Sequence, residues 1–141
     1  MEENKTEKEM SLEEVRRLIT GEEEFVFVIA RKDKQEVSFK MKTLNGEETS
    51  KIEKEARNRT IVKDEKGNDI TDSKSYNETY RYLKLANVIT EIKVGNTQVV
   101  FKGKQELENF MRTLPYSAML AINLKYEEEN SKIFDEIQKK I

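Results

Sequence analysis

Apolar residues are sparse along this chain, and their spacing defines the elements. Residues 24–30, EFVFVIA, are nearly all apolar and rich in β-branched and aromatic side chains. The run is too short for a buried helix and predicts a buried strand. A polar turn, RKDK, occupies 31–34. Val37, Phe39 and Met41 then alternate with Glu36, Ser38, Lys40 and Lys42. That two-residue period predicts a strand with one wet face, so 24–42 is expected to be an antiparallel hairpin.

Helical periods dominate elsewhere. Ser11 and Glu14 make a capping box, and Leu12, Val15, Leu18 and Ile19 share a face, so 11–20 is predicted as a short amphipathic helix stopped by Gly21. After Asn45-Gly46, the segment GEETSKIEKEARNR carries acids early and arginines late, which suits the helix dipole. Its only apolar residues are Ile52 and Ala56, so this helix should be mostly solvated. Residues 63–75 are polar and rich in turn formers, and read as a loop.

Tyr82, Leu85, Ala86 and Ile89 predict a helix over about 76–91. The stretch EIKVGNTQVVF predicts a small hairpin turning at Gly95-Asn96. Leu107, Phe110, Met111 and Leu114 predict a helix that Pro115 punctuates. A last helix should run from about 116 to 141, with Met119, Ile122, Tyr126, Ile133, Ile137 and Ile141 on a stripe interrupted by Glu129 and Asn130. The expected class is α+β: an N-terminal antiparallel hairpin, then a mainly helical C-terminal half with a second small hairpin. Residues 1–10 read as a disordered charged tail and 11–141 as a single domain. Leu85, Ile89, Phe110 and Leu114 are expected in the core.

Composition narrows the chemistry. The 141 residues suit one domain, but only 35% are hydrophobic and 38% are charged, so the core should be modest. The 26 basic and 28 acidic residues leave a net charge of −2, which offers no broad basic field to nucleic acid. There is no cysteine and no histidine. Thiolate and imidazole chemistry, and the usual zinc sites, are thereby excluded. No enzyme activity, cofactor or metal is expected. The leading segment MEENKTEKEM is hydrophilic, and no run approaches the roughly 18 apolar residues of a membrane span, so the expected compartment is the cytoplasm, of the host if the gene is viral.

Several clusters invite a sharper reading. Asp64, Lys66 and Asn68, with Asp69 and Asp72, loosely echo a calcium loop, yet position 3 is Lys66, Gly67 falls at position 4 rather than 6, and position 12 is Ser75 rather than Glu. The acid runs 22–24 and 127–129 lie on successive residues whose side chains diverge, and read as solvated faces. Tyr76, Tyr80 and Tyr82 with Arg81 and Lys84 could stack bases, but Tyr82 belongs to the core stripe. The last helix is the most informative segment. Ile133, Phe134, Ile137 and Ile141 are the candidate partner-binding residues. Packing of that helix end onto the chain's own hairpin is the competing reading.

The order of features also carries a resemblance. A strand ending in FKMKTLNGEE precedes a polar helix. An aliphatic helix and hairpin, RYLKLANVITEIKVGNTQVVF, follow, then KQELENFMRTLP and a long final helix. This resembles the tail assembly chaperones of long-tailed bacteriophages and the related small baseplate-hub assembly proteins of contractile-tailed phages. The matching words are Thr43 to Glu48, Leu85 to Ile89 through Gly95, and Phe110 to Pro115. The likeness spans roughly 37–130. It departs at 63–75, and the first 20 residues have no clear counterpart. It implies a non-enzymatic factor that binds the tape measure protein or tail hub during tail assembly. The alternatives are a permanent component of the tail baseplate or hub, and a small nucleic-acid-binding regulator. A protein partner and possible homo-oligomerisation are expected, with no nucleic acid and no membrane in the leading reading.

Overall fold

The computed structural model describes residues 9–20, 24–32 and 35–141. Its architecture is α+β, with an N-terminal antiparallel hairpin and a mainly helical C-terminal half. The expected N-terminal tail through residue 8, the Gly21 stop and most of the 22–24 acid run lie outside the described residues, as do positions 33–34 of the expected turn.

Helix α1 spans Leu12–Thr20. The predicted capping box is present: Ser11 Oγ accepts the Glu14 amide at 3.1 Å, and Glu14 Oε1 accepts the Ser11 amide at 3.4 Å. Strands β1 (Glu24–Lys32) and β2 (Gln35–Lys42) form the hairpin, with Phe25 opposite Met41 and Phe27 opposite Phe39. Helix α2 follows at Gly46–Arg59, opened by a second capping box between Asn45 and Glu48. As expected of a solvated helix, it buries only Ile52 and Ala56.

Two elements differ from expectation in this middle region. Strands β3 (Ile61–Lys63) and β4 (Asp69–Thr71) pair where a plain loop was expected from 63. Their turn is self-contained: Asp64 Oδ1 accepts the amides of Lys66 and Asn68 at 2.9 and 2.8 Å. Helix α3 then runs Ser73–Val88, earlier at both ends than its stripe suggested. Ile89 is buried, but as the first residue of strand β5 (Ile89–Val94), where β-branched Ile89 and Thr90 favour extension and Ile89 pairs with Met41. Strand β6 (Thr97–Val99) returns across Gly95, whose φ of 60° suits glycine in a tight hairpin.

The main sheet has the order β1-β2-β5-β6, all antiparallel. Helices α4 (Lys104–Thr113) and α5 (Tyr116–Lys140) complete the chain. Phe39, Met41, Ile89 and Ile92 from the sheet meet Leu85 and Val88 of α3, Leu107 and Met111 of α4, and Met119, Ile122 and Tyr126 of α5 in one core. Ile52 and Ala56 form a second cluster with Leu83.

Two burial expectations are corrected. The 24–30 strand is not buried on both faces: it is an edge strand, with Val26 64% and Val28 40% exposed. Val26 and Val28 share one face of the pleat, and it is the alternate residue Phe25 whose ring lies 6.1 Å from that of Tyr126 on α5. Phe110 is 37% exposed and lies against Phe101, ring centroids 5.8 Å apart, because Leu107 and Met111 take the inward positions of α4. Leu114 is half-buried at the core's margin.

Candidate protein-binding surface

Helix α5 is 25 residues long, about 37 Å at 1.5 Å per residue. Pro115 is its N-cap residue, with φ at −54°. Its inward stripe begins with Met119, Ile122 and Tyr126, which are almost entirely buried. At roughly 100° per residue, Ile133 and Ile137 continue the same stripe, and both are half-buried. Neither joins the main core cluster, whose last member on this helix is Tyr126.

A second apolar stripe occupies another face of the same helix. Leu120, Leu124, Phe134 and Ile141 fall on it, and Phe134 and Ile141 are 63% and 100% exposed. The positions 120, 124, 127, 131, 134, 138 and 141 step by four and three, the spacing of a helix-pairing seam. The four candidate residues thus divide. Ile133 and Ile137 face inward, whereas Phe134 and Ile141 face solvent beside Leu120 and Leu124, two residues that sequence reasoning missed. The missed signal was the second heptad-like register, hidden under the stronger core stripe.

Helix α1 lies against α5. Its own apolar residues remain largely uncovered: Leu12, Leu18 and Ile19 are all more than half exposed. Two neighbouring helices therefore each present exposed apolar side chains to solvent, and clustered exposed apolar surface marks interaction sites.

The remaining clusters are tied up internally. The acids 127–129 diverge, as expected: Glu127 bonds Lys84 at 2.5 Å, Glu128 lies 3.8 Å from Lys125, and Glu129 lies 3.0 Å from Lys132. Lys84, buried on α3, sits 5.3 Å from the Tyr126 ring centroid and 6.0 Å from that of Tyr80. The tyrosines stack on one another, Tyr76 on Tyr80 at 6.1 Å, rather than on an open basic groove. A recess of about 470 Å³ opens beside β5, β6 and α4, but its two lysines are engaged. Lys42 donates to Glu48 and Lys104 to Asn87, each at 2.6 Å. Among the described residues no group of three or more Asp, Glu, His or Cys could hold a metal ion, and no helix is long and apolar enough to cross a membrane.

Burial also sets the ionisation of nearby groups. Tyr126 is pushed up to about 12, chiefly by desolvation and secondarily by the Glu127 charge, while a backbone hydrogen bond at Leu44 opposes the shift. The arrangement offers shape and apolar area, while Lys84 and Glu127, and Lys42 and Glu48, are held in ion pairs. Compared with protein-family models, curated proteins and solved structures, the chain finds no match.

Proposed function

We propose that this chain is a non-enzymatic assembly factor that covers apolar helical segments of a partner protein. The observation that carries this reading is the solvent-facing stripe of Leu120, Leu124, Phe134 and Ile141 on α5, next to the uncovered apolar face of α1. A helix laid along such a stripe buries its own apolar face in exchange, the helix-in-groove mode of recognition. The resemblance to phage tail assembly chaperones supplies the setting: the partner is the tape measure protein or tail hub, and the work is done in the host cytoplasm. A tape measure exposes long apolar stripes before tube subunits surround it, and a charge-rich masking protein keeps such a complex soluble.

Co-expression tests this directly. A helical tape measure fragment, insoluble alone, should stay in the soluble fraction with the wild-type chain and co-elute with it. Phe134→Asp and Leu124→Asp should abolish that rescue while the chain itself stays folded. Rescue that survives both substitutions would sink the proposed surface. Mass spectrometry of finished particles separates a departing chaperone from a permanent hub component, which would be found at fixed copy number.

A further inference from the structure

Strand β6 is shorter than its neighbour. Its last ladder pair is Val99 with Ile92, so Ile89, Thr90 and Glu91 of β5 have no strand beside them on that side. The β2 side of β5 is irregular at the same place. Lys40 pairs with Glu91 and Met41 with Ile89, which makes Thr90 the extra residue of a β-bulge. Its hydroxyl donates to the Lys40 carbonyl at 3.2 Å, but a bulged residue leaves its own backbone groups outside the ladder. Thr90 and Glu91 line the recess of about 470 Å³ beside β5, β6 and α4.

That volume lies within the roughly 300–1,000 Å³ of ligand sites. Ile89, Ile92, Val99, Phe101 and Leu107 line it, and Val100 beside them is 81% exposed. The charge around it is unbalanced. Lys42 is bonded to Glu48, and Lys93 lies 3.6 Å from Glu91. Lys104 bonds only the neutral Asn87 side chain, and the one carboxylate whose charge it helps to stabilise, Glu48, is already held by Lys42. Lys102, two residues earlier, is exposed, and neither lysine has a carboxylate within 4 Å among the described residues. Glu106 lies about 200° round α4 from Lys104 and does not line the recess. We infer that this recess takes an extended, acidic segment of a partner protein, which adds a short strand beside Thr90 and places an apolar side chain in the cavity.

The bare backbone selects an extended peptide, because strand addition gains main-chain hydrogen bonds while alternate side chains fill a pocket. The excess of lysine selects acids next to the apolar residue. The sheet's other outer strand, β1, carries Glu24, Arg31 and Lys32, and such charges discourage strand addition. Residues 97–101 carry no charge. The inference goes beyond the proposed function: the α5 stripe takes a helix, the recess takes an extended segment, and the two share no residue.

Amide shifts of the ¹⁵N-labelled protein test it, with the peptide acetyl-Glu-Val-Ile-Val-Glu-amide as probe. Shifts centred on Thr90, Glu91 and residues 100–104 should saturate at roughly millimolar peptide. The lysine counterpart, acetyl-Lys-Val-Ile-Val-Lys-amide, should bind at least about fivefold more weakly, and the double variant K102E/K104E should reverse that preference. Val100→Asp, at an exposed position that leaves the fold intact, should weaken the acidic peptide by a similar factor. The same acidic peptide N-methylated at its three central residues lacks ladder donors and should not bind. No shift at about ten millimolar peptide overturns the inference, as do shifts centred on α5. Equal binding of the acidic and basic peptides overturns it, and so does equal binding of the N-methylated one. Isovalerate that moves the same amides at the same concentration would make the recess a site for compact acids and overturn strand addition.

Discussion

One nitrogen of Arg59, Nη1, lies 3.0 and 2.9 Å from the two oxygens of Glu108, and so joins α2 to α4 across 49 positions of sequence. Glu108 is only 3% exposed, and Arg112 Nε adds a third bond at 3.0 Å. The Arg112 guanidinium meanwhile lies 4.4 Å from the Tyr82 ring centroid. Arg59 also bonds Glu55, which steadies it on its own helix. Removing Arg59 leaves the buried Glu108 with Arg112 alone and one of its hydrogen bonds unmade.

Arg59→Ala should therefore destabilise the fold by about 1–3 kcal/mol, read from urea denaturation. The double variant Arg59→Ala, Glu108→Leu should recover part of the loss. Equal losses in the two variants would show that the pair holds no buried charge in balance.

The acid limit of stability should depend on Glu48. A hydrogen bond from Lys42, helped by the Asn45 amide, holds its carboxyl below the usual carboxylate range. A carboxyl depressed on folding contributes stability above its unfolded pKa and loses it as pH falls through its folded one. Glu48→Gln should thus flatten the fall in melting temperature below about pH 4.5. Asn45→Ala, which removes the other half of the capping box, should cost about 0.5–2 kcal/mol at all pH values.

At the alkaline end Tyr126 is the group to watch. Its phenol is raised by burial to about 12. A group whose folded pKa is raised contributes stability that is complete below its unfolded pKa, near 10 for tyrosine, and is lost as pH rises through the folded value. Burial raises Tyr80 as well, but phenolate absorbance should show a separate step at about 12 for Tyr126, and Tyr126→Phe should delete that step. The same substitution should weaken the decline in stability between about pH 10 and 12.

Much of this fold could be read from period alone. The alternation of Val37, Phe39 and Met41 placed β2 correctly, because a sheet packed on one face imposes a strict two-residue pattern. The capping box at Ser11 and the glycine turn at Gly95 were legible because each satisfies a local rule. The β3–β4 hairpin was not, since Ile61, Val62 and Ile70 stay exposed and leave no buried face to set a period. The boundary at Ile89 failed for the opposite reason: that residue is buried whether it ends a helix or begins a strand. Edge position explains β1, whose apolar composition says nothing about which strand lies outermost. On α5, one helix carries two apolar stripes, and the linear run Ile133, Phe134, Ile137, Ile141 merged them.

That division yields a sharp contrast between neighbours on one helix turn. Ile133 and Ile137 are half-buried on the inward stripe, whereas Phe134 is 63% exposed. Complete burial of an isoleucine makes its truncation to alanine cost about 2–5 kcal/mol, so half-burial should make Ile133→Ala and Ile137→Ala cost about 1–2 kcal/mol each. Phe134→Ala removes more atoms but leaves no cavity, and should change the stability of the monomer by no more than about 0.5 kcal/mol. The order reverses when client binding is measured. Phe134→Ala should weaken client binding, because its ring lies on the outward stripe. Ile133→Ala and Ile137→Ala should act on binding only through the loss of helix order. Urea melts of the free variants, set beside co-elution of the same variants with the client, separate the two effects. A Phe134→Ala chain that is destabilised as much as Ile137→Ala, yet binds the client like wild type, would place the phenyl ring in the fold and remove the basis for the outward stripe.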